Sequence, residues 1–296
     1  MRVFVTGATG FIGSAVIDEL IKAGHQVLGL ARTDASANSL TGAGAQVHRG
    51  SLEDLDSLRR GAEKSDAVIH LAFNHDFSKY QANCEADRRV IEALGSVLIG
   101  SDRPFVVSAG VGVVSPGRAA TENDACVPSS ILPRSASEEA ALSLAQRGVR
   151  ALVIRLPQVH NLDMQGLITL LIIIAREKRV SAFVGDGANR WPAAHRLDVA
   201  HLYTLALEQG SAGARYHAIA EEGVPLRQIA EVIGRRLKLP IVSKSPEEAA
   251  DHFGWMAFMV GRDGLASSAI TQERLGWRPI QPGLIADLEG AHNLEI

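Results

Sequence analysis

The chain has 296 residues, 46% hydrophobic and 21% charged, enough apolar material for a large core, which excludes disordered, collagenous and disulfide-scaffold classes. Lysine plus arginine is 30 and aspartate plus glutamate is 33, a formal charge of −3, so no general affinity for polyanions such as nucleic acid is expected. Two cysteines, Cys84 and Cys126, fit no metal or redox spacing and suggest a reducing compartment, and only three tyrosines occur, Tyr80, Tyr203 and Tyr216.

Met1 and Arg2 lead at once into an apolar run, so no cleavable leader is expected, and with the reducing compartment this points to a cytoplasmic protein. Strand-like runs follow at 3–6, 26–30, 46–47, 67–71, 104–108 and 151–156. They are continuously apolar, as in strands covered on both faces. Helical patterns separate them, for example 12–23, where Ile12, Val16, Leu20 and Ala23 recur at helix spacing. Such alternation predicts right-handed crossovers and an α/β fold with a doubly wound parallel sheet of Rossmann type.

Past Pro157 the order loosens: helices around 167–176, 199–208 and 226–237, and a strand at 215–219. The longest apolar run, 166–175, is far short of the roughly 20 residues that span a bilayer. It is expected to be buried, or to pack on a partner subunit in a homodimer; no membrane is expected as a partner. The reading divides the chain into a dinucleotide-binding domain at 1–160, rejoined by 195–220, and a small C-terminal substrate cap from 161–194 and 221–296.

The strongest local signal is Thr6-Gly7-Ala8-Thr9-Gly10-Phe11-Ile12-Gly13, three glycines between a strand and a helix. Gly7 suits a tight turn, Gly10 a close approach to a pyrophosphate, and Gly13 close packing of the helix on its strand. The helix N-terminus then offers amide groups and its positive end to the anion. Thr9, Phe11 and Ile12 belong to the same cradle. At the end of the second strand, where an acid holds the ribose 2′-hydroxyl in NAD sites, stands Arg32, with Thr33 and Ser36 beside it. A guanidinium suits a 2′-phosphate, so NADP(H) is expected over NAD(H).

With these residues on the page, the sequence resembles the extended short-chain dehydrogenases/reductases, the NAD-dependent epimerase/dehydratase family, over essentially its whole length. The resemblance rests on the glycine turn, His70-Leu71-Ala72, Val106-Val107-Ser108-Ala109-Gly110, Arg155-Leu156-Pro157-Gln158-Val159-His160, His195-Arg196-Leu197-Asp198-Val199-Ala200 and Leu275-Gly276-Trp277-Arg278-Pro279. It implies that Leu71 and Ala72 line the adenosine path, that Ser108 ends a cofactor-lining strand and that Pro157 lies near the nicotinamide. Two departures stand out. Ser51 replaces an aspartate often found after the third strand. More importantly, the family pairs a tyrosine with a lysine four residues on, whereas here Cys84, Leu207 and Ala220 follow the three tyrosines at that spacing. In 132–138, which resembles the start of the catalytic helix, Arg134 takes the tyrosine position and Glu138 the lysine position, and Ala109 or Gly110 stands at the Ser/Thr position.

An arginine stays protonated, so Arg134 can stabilise an oxyanion but not act as a general acid. A structural ion pair with Glu138 one turn on is the preferred reading of the two. After the fourth strand, His75 can shuttle a proton, with Asp76 or Tyr80 assisting. His160 reads as a hydrogen-bonded wall residue and His195 as structural at the domain junction. Residues 255–259, with Trp255, Met256, Phe258 and Met259, read as an apolar cluster of the cap, and no metal constellation is present. The functional expectation is an oxidoreductase acting on a small carbonyl or alcohol with a non-standard proton donor. The alternatives are a catalytically silent NADP(H) sensor and a nucleotide-sugar epimerase or dehydratase.

Overall fold

The apolar runs of the first half become strands sealed on both faces by helices. The computed structural model describes residues 1–111 and 117–294. Strand and helix alternate from the start: β1 (Arg2–Thr6), α1 (Phe11–Lys22), β2 (Gln26–Ala31), α2 (Asp34–Gly42), β3 (Gln46–Arg49), α3 (Leu55–Glu63) and β4 (Ala67–His70). They continue through α4 (Tyr80–Ser96), β5 (Pro104–Gly110), α5 (Ala136–Gln146) and β6 (Arg150–Leu156). The second half holds β7 (Gln158–His160), α6 (Ile168–Lys178), β8 (Ser181–Val184), β9 (Arg190–His195), α7 (Arg196–Gln209), β10 (Arg215–His217) and β11 (Glu221–Pro225). It closes with α8 (Leu226–Leu237), β12 (Ile241–Lys244), α9 (Pro246–Phe253), α10 (Ala257–Val260), α11 (Ala269–Leu275) and α12 (Leu284–Glu289).

Seven strands form one sheet in the order β10-β6-β5-β4-β1-β2-β3, every neighbouring pair parallel. This is the doubly wound Rossmann arrangement, and its strand order reverses between β1 and β4. On one face α1 and α7 pack Val16, Leu20, Leu202 and Tyr203 against the sheet. On the other, α3, α4 and α5 bring Leu58, Ile91, Leu94 and Leu144 onto Phe4 and Phe105. Each such fully buried side chain is worth about 1.5–3 kcal/mol relative to exposure.

A second core lies outside the large sheet. It joins Ile168 and Ile172 of α6, Trp191 of β9, Ile229 and Ile233 of α8, Phe253 of α9 and Leu284 and Leu288 of α12. Two small sheets frame it, β11-β9-β7 and β12-β8. The expected strand at 215–219 stops at His217, because the chain crosses to the three-stranded sheet, where the Ala220 amide bonds the Ala193 carbonyl at 3.0 Å. The run at 166–175 is not wholly buried: Ile173 is 43% exposed, while Ile168, Leu171, Ile172 and Ala175 point into the second core. Leu275 and Trp277 pack into the core of the large sheet, and the Trp277 indole donates to the Asp198 carbonyl at 2.9 Å. Among the described residues no helix is long and apolar enough to cross a membrane.

Candidate active site

The glycine turn sits at the carboxyl ends of β1 and β4, the point where an open parallel sheet leaves a crevice. Gly7 adopts φ +68°, and a side chain there would place its Cβ 2.6 Å from the Ala72 nitrogen. A Cβ on Gly13 would come within 2.0 Å of the Gly7 carbonyl oxygen. The turn closes through the Gly10 amide, bonded to Gly7 O at 2.9 Å. Gly10 is also the N-cap of α1, and no side chain caps that terminus. The first-turn amides of Phe11, Ile12 and Gly13 are thus left for an external acceptor, beside exposed Thr9. Leu71 and Ala72 border the crevice, with the Ala72 amide donating to Thr6 Oγ1 at 3.4 Å, and Pro157 stands at the carboxyl end of β6. A side-chain-free cradle with unused helix amides fits a dinucleotide pyrophosphate.

Arg32 follows β2 and is exposed. The Glu53 carboxyl, bonded by Ser51 and lying near Arg32, is held below the usual carboxylate range. Thr33 caps α2, its Oγ1 accepting from the Ser36 amide at 3.2 Å. Asp34, the acid nearest this corner in sequence, is paired with Arg49 at 2.5 Å.

Behind the crevice runs a buried polar chain. Thr6 Oγ1 and His70 Nδ1 lie 2.7 Å apart, and His70 Nε2 meets Asp87 Oδ1 at 2.9 Å. The other Asp87 oxygen accepts from Arg134 at 3.2 Å and from the Ser137 hydroxyl. Burial opposes ionisation of Asp87, yet His70, Arg134 and Ser137 together hold it below the usual carboxylate range. Arg134 stands in the short 3₁₀ turn Pro133–Ser135 that leads into α5. It also donates to the Ser108 carbonyl at 3.1 Å and lies 4.2 Å above the Phe73 ring. The guanidinium is thereby fixed over the carboxyl end of β5, 18% exposed. Ser108 itself is buried: its hydroxyl donates to the His70 carbonyl and accepts from Tyr203, each at 2.7 Å.

The loop from Ala72 to Lys79 brings His75 and Tyr80 to the same region. The His75 ring stands edge-on to Phe73 at 5.2 Å and to Phe77 at 6.1 Å. Burial first, then the Arg134 charge, lowers its pKa below the ordinary imidazole value. Burial pushes the Tyr80 phenol up to about 12, with Cys84 adding to the effect. Asp76 does not face this group; its carboxylate caps the next turn, accepting from the Ser78 amide at 3.1 Å.

The expected Arg134–Glu138 ion pair does not form. Glu138 turns to the opposite side, where Arg155 holds both its oxygens at 2.7 and 2.6 Å and Arg215 adds a contact at 2.7 Å. Burial opposes its ionisation, but these two cations outweigh it and depress its pKa. His160 bonds Asp287 at 2.6 Å, and His195 caps α7 through the Leu197 amide at 3.2 Å. Among the described residues no group of histidines, cysteines and acids is arranged to hold a metal ion. Sequence reasoning missed Asp87 and Ser137. The readable signal for Asp87 is its place on the buried stripe Cys84, Asp87, Ile91, Leu94 of α4, where a carboxylate demands a partner.

Comparison with known proteins places this geometry. The model of the NAD-dependent epimerase/dehydratase family matches residues 3–220. An uncharacterized protein of Schizosaccharomyces pombe is 48% identical over 290 residues, covering 97% of this chain and 98% of its own. One of Saccharomyces cerevisiae is 43% identical over 297 residues, covering 99% and 100%. Among solved structures, the UDP-glucose 4-epimerase of Thermus thermophilus in complex with NAD superposes with a TM-score of 0.76 at 18% identity, covering 99% of this chain and 98% of that one.

Proposed function

The chain belongs to the NAD-dependent epimerase/dehydratase family, and from that membership we propose that it is an NADP(H)-dependent reductase of a carbonyl compound, working without a tyrosine–lysine pair. The observation that carries the reading is the Arg134 guanidinium fixed over the carboxyl end of β5, bound to Asp87 and the Ser108 carbonyl. Gly7, Gly10 and the amides of Phe11, Ile12 and Gly13 would hold the pyrophosphate, with Thr9 beside it. Arg32 would pair with the 2′-phosphate, and Leu71, Ala72, Ser108 and Pro157 would line the path of the remainder. When bound, NADPH supplies a hydride to the carbonyl carbon.

Arg134 then faces the negative charge growing on the carbonyl oxygen. Its own charge is permanent and its position is set before reaction, so little reorganisation is needed. The proton that completes the alcohol comes from the His75 imidazolium, whose lowered pKa makes it a stronger acid than an ordinary histidine. Tyr80, with its phenol pushed up to about 12, stays protonated and serves as a hydrogen-bond donor to the substrate.

The test is Arg134→Met in a carbonyl reduction assay followed by NADPH consumption. We expect kcat to fall by about 10²–10³-fold, with NADPH affinity unchanged. In the parent protein kcat should rise as pH drops below about 6.5, and His75→Asn should abolish that rise. An unchanged kcat in Arg134→Met overturns the assignment. Tight NADPH binding with no turnover of any carbonyl would instead support a silent sensor, and turnover restricted to sugar nucleotides an epimerase or dehydratase.

A further inference from the structure

A continuous aromatic wall runs from Arg134 to the surface. The guanidinium lies 4.2 Å over Phe73, Phe73 meets His75 at 5.2 Å, and His75 meets Phe77 at 6.1 Å. Phe77 then stacks on Trp255 of the cap, ring centroids 4.3 Å apart and planes 20° from parallel. Trp255 is 51% exposed, whereas the other two tryptophans, Trp191 and Trp277, are 5% and 0% exposed. Beyond it Phe258 is 62% exposed, with the Arg262 guanidinium 4.6 Å from its ring centroid. Core packing accounts for Trp191 and Trp277. It does not account for a half-exposed indole stacked across the join between the sheet domain and the cap.

The wall has a definite chemistry. It sets aromatic rings along its length, the outermost of them, Trp255, half exposed, and a cation at its inner end. That cation is already paired with Asp87, so it suits a dipolar or developing charge better than a full dianion. The raised pKa of Tyr80 keeps its phenol uncharged near neutrality, and the lowered pKa of His75 means that its imidazolium, the proton donor, builds up as pH falls below about 6.5. Flat rings stack on such surfaces with a gain beyond area burial that flexible alkyl chains do not match.

We propose that the substrate is a planar aromatic carbonyl compound, its ring seated on the Phe77–Trp255 face and its oxygen directed at Arg134. This rests on the reductase reading and names the substrate class of that same site. Hydride adds to the carbonyl carbon, the His75 imidazolium gives its proton to the oxygen and becomes neutral imidazole, and an aryl carbinol leaves with oxidised cofactor.

The experiment compares 2-naphthaldehyde, hexanal and UDP-glucose as ligands of the NADP⁺-loaded protein, by quenching of indole fluorescence and by calorimetry. NADPH consumption is followed separately. We expect 2-naphthaldehyde to bind at least about tenfold more tightly than hexanal, Trp255→Ala to remove that advantage, and Trp255→Phe to retain most of it. Equal binding of the two aldehydes, an unaltered preference in Trp255→Ala, or preferred binding of UDP-glucose overturns the proposal. Turnover of hexanal with no aromatic preference overturns this substrate class alone. Preferential binding of 2-naphthaldehyde without NADPH consumption keeps the wall and overturns the reductase reading. Unchanged melting of Trp255→Ala shows that a lost preference is not lost fold.

Discussion

At the scale of single residues, two arginines had to be assigned by their surroundings. Arg32 could be singled out in the sequence by position alone, at the end of the second strand after a glycine turn. The structure keeps it exposed and pairs the adjacent acid, Asp34, with Arg49, while the Glu53 carboxylate lies near the Arg32 guanidinium. Arg32→Asp is therefore expected to weaken NADPH binding by tenfold or more while leaving NADH binding within about twofold, measured by fluorescence titration. Equal loss for both cofactors would mean a general defect of the corner. Arg134 was legible as a residue but not in its pairing. The i,i+4 rule holds along one helix, and Arg134 precedes α5 in a 3₁₀ turn, so it does not share a helical face with Glu138. The partner that captures Glu138, Arg155, comes from β6, a contact no local spacing encodes.

At the scale of elements, β1, β4, β5 and β6 of the large sheet were readable because burial on both faces makes them almost wholly apolar. β8 and β12 were not, because four residues half in contact with water carry no such run. In the proposed reading, the turn before α1 is the element that holds the cofactor pyrophosphate. Gly13→Ala would drive a methyl group into the Gly7 carbonyl, 2.0 Å away, and backbone cannot yield cheaply. The expected result is loss of NADPH binding by about 100-fold or more, with the far-ultraviolet circular dichroism retained. Gly42→Ala serves as the control: nothing lies within 4 Å of its Cβ, and a helical alanine should raise stability by about 0.5–1 kcal/mol in urea unfolding. Should Gly13→Ala bind NADPH normally, the cradle has been misplaced.

At the scale of the whole molecule, buried titratable groups set the pH range of the fold. His160, His195 and His217 all have lowered pKa values, burial being the main cause at each. Below about 6.5 the unfolded chain takes up protons that the native state refuses, so stability falls as pH falls, by at most about 1.4 kcal/mol per pH unit for each such proton. The depressed carboxylates Asp87 and Glu138 act lower: their contribution is complete above the ordinary carboxylate range and is lost as pH drops through their folded values. Calorimetry should show Tm declining between pH 6.5 and 5 and more steeply below 4. A Tm that is level from pH 7 to 5 would contradict this. One feature bears on how the molecule moves. Trp277 is sunk in the core of the large sheet, and Asp198 holds the amides of Ile280 and Gln281 at 3.0 and 3.1 Å, while the chain on either side of this stretch, at Val260 and at Leu284, packs into the cap. The cap is thus laced back to the sheet by its own tail. Hinge opening of the whole cap would have to extract an indole from a packed interior. The thinner parts of the rim, the Phe73–Phe77 loop and the Trp255 turn, are left as the segments whose movement would admit a ligand without moving the whole cap.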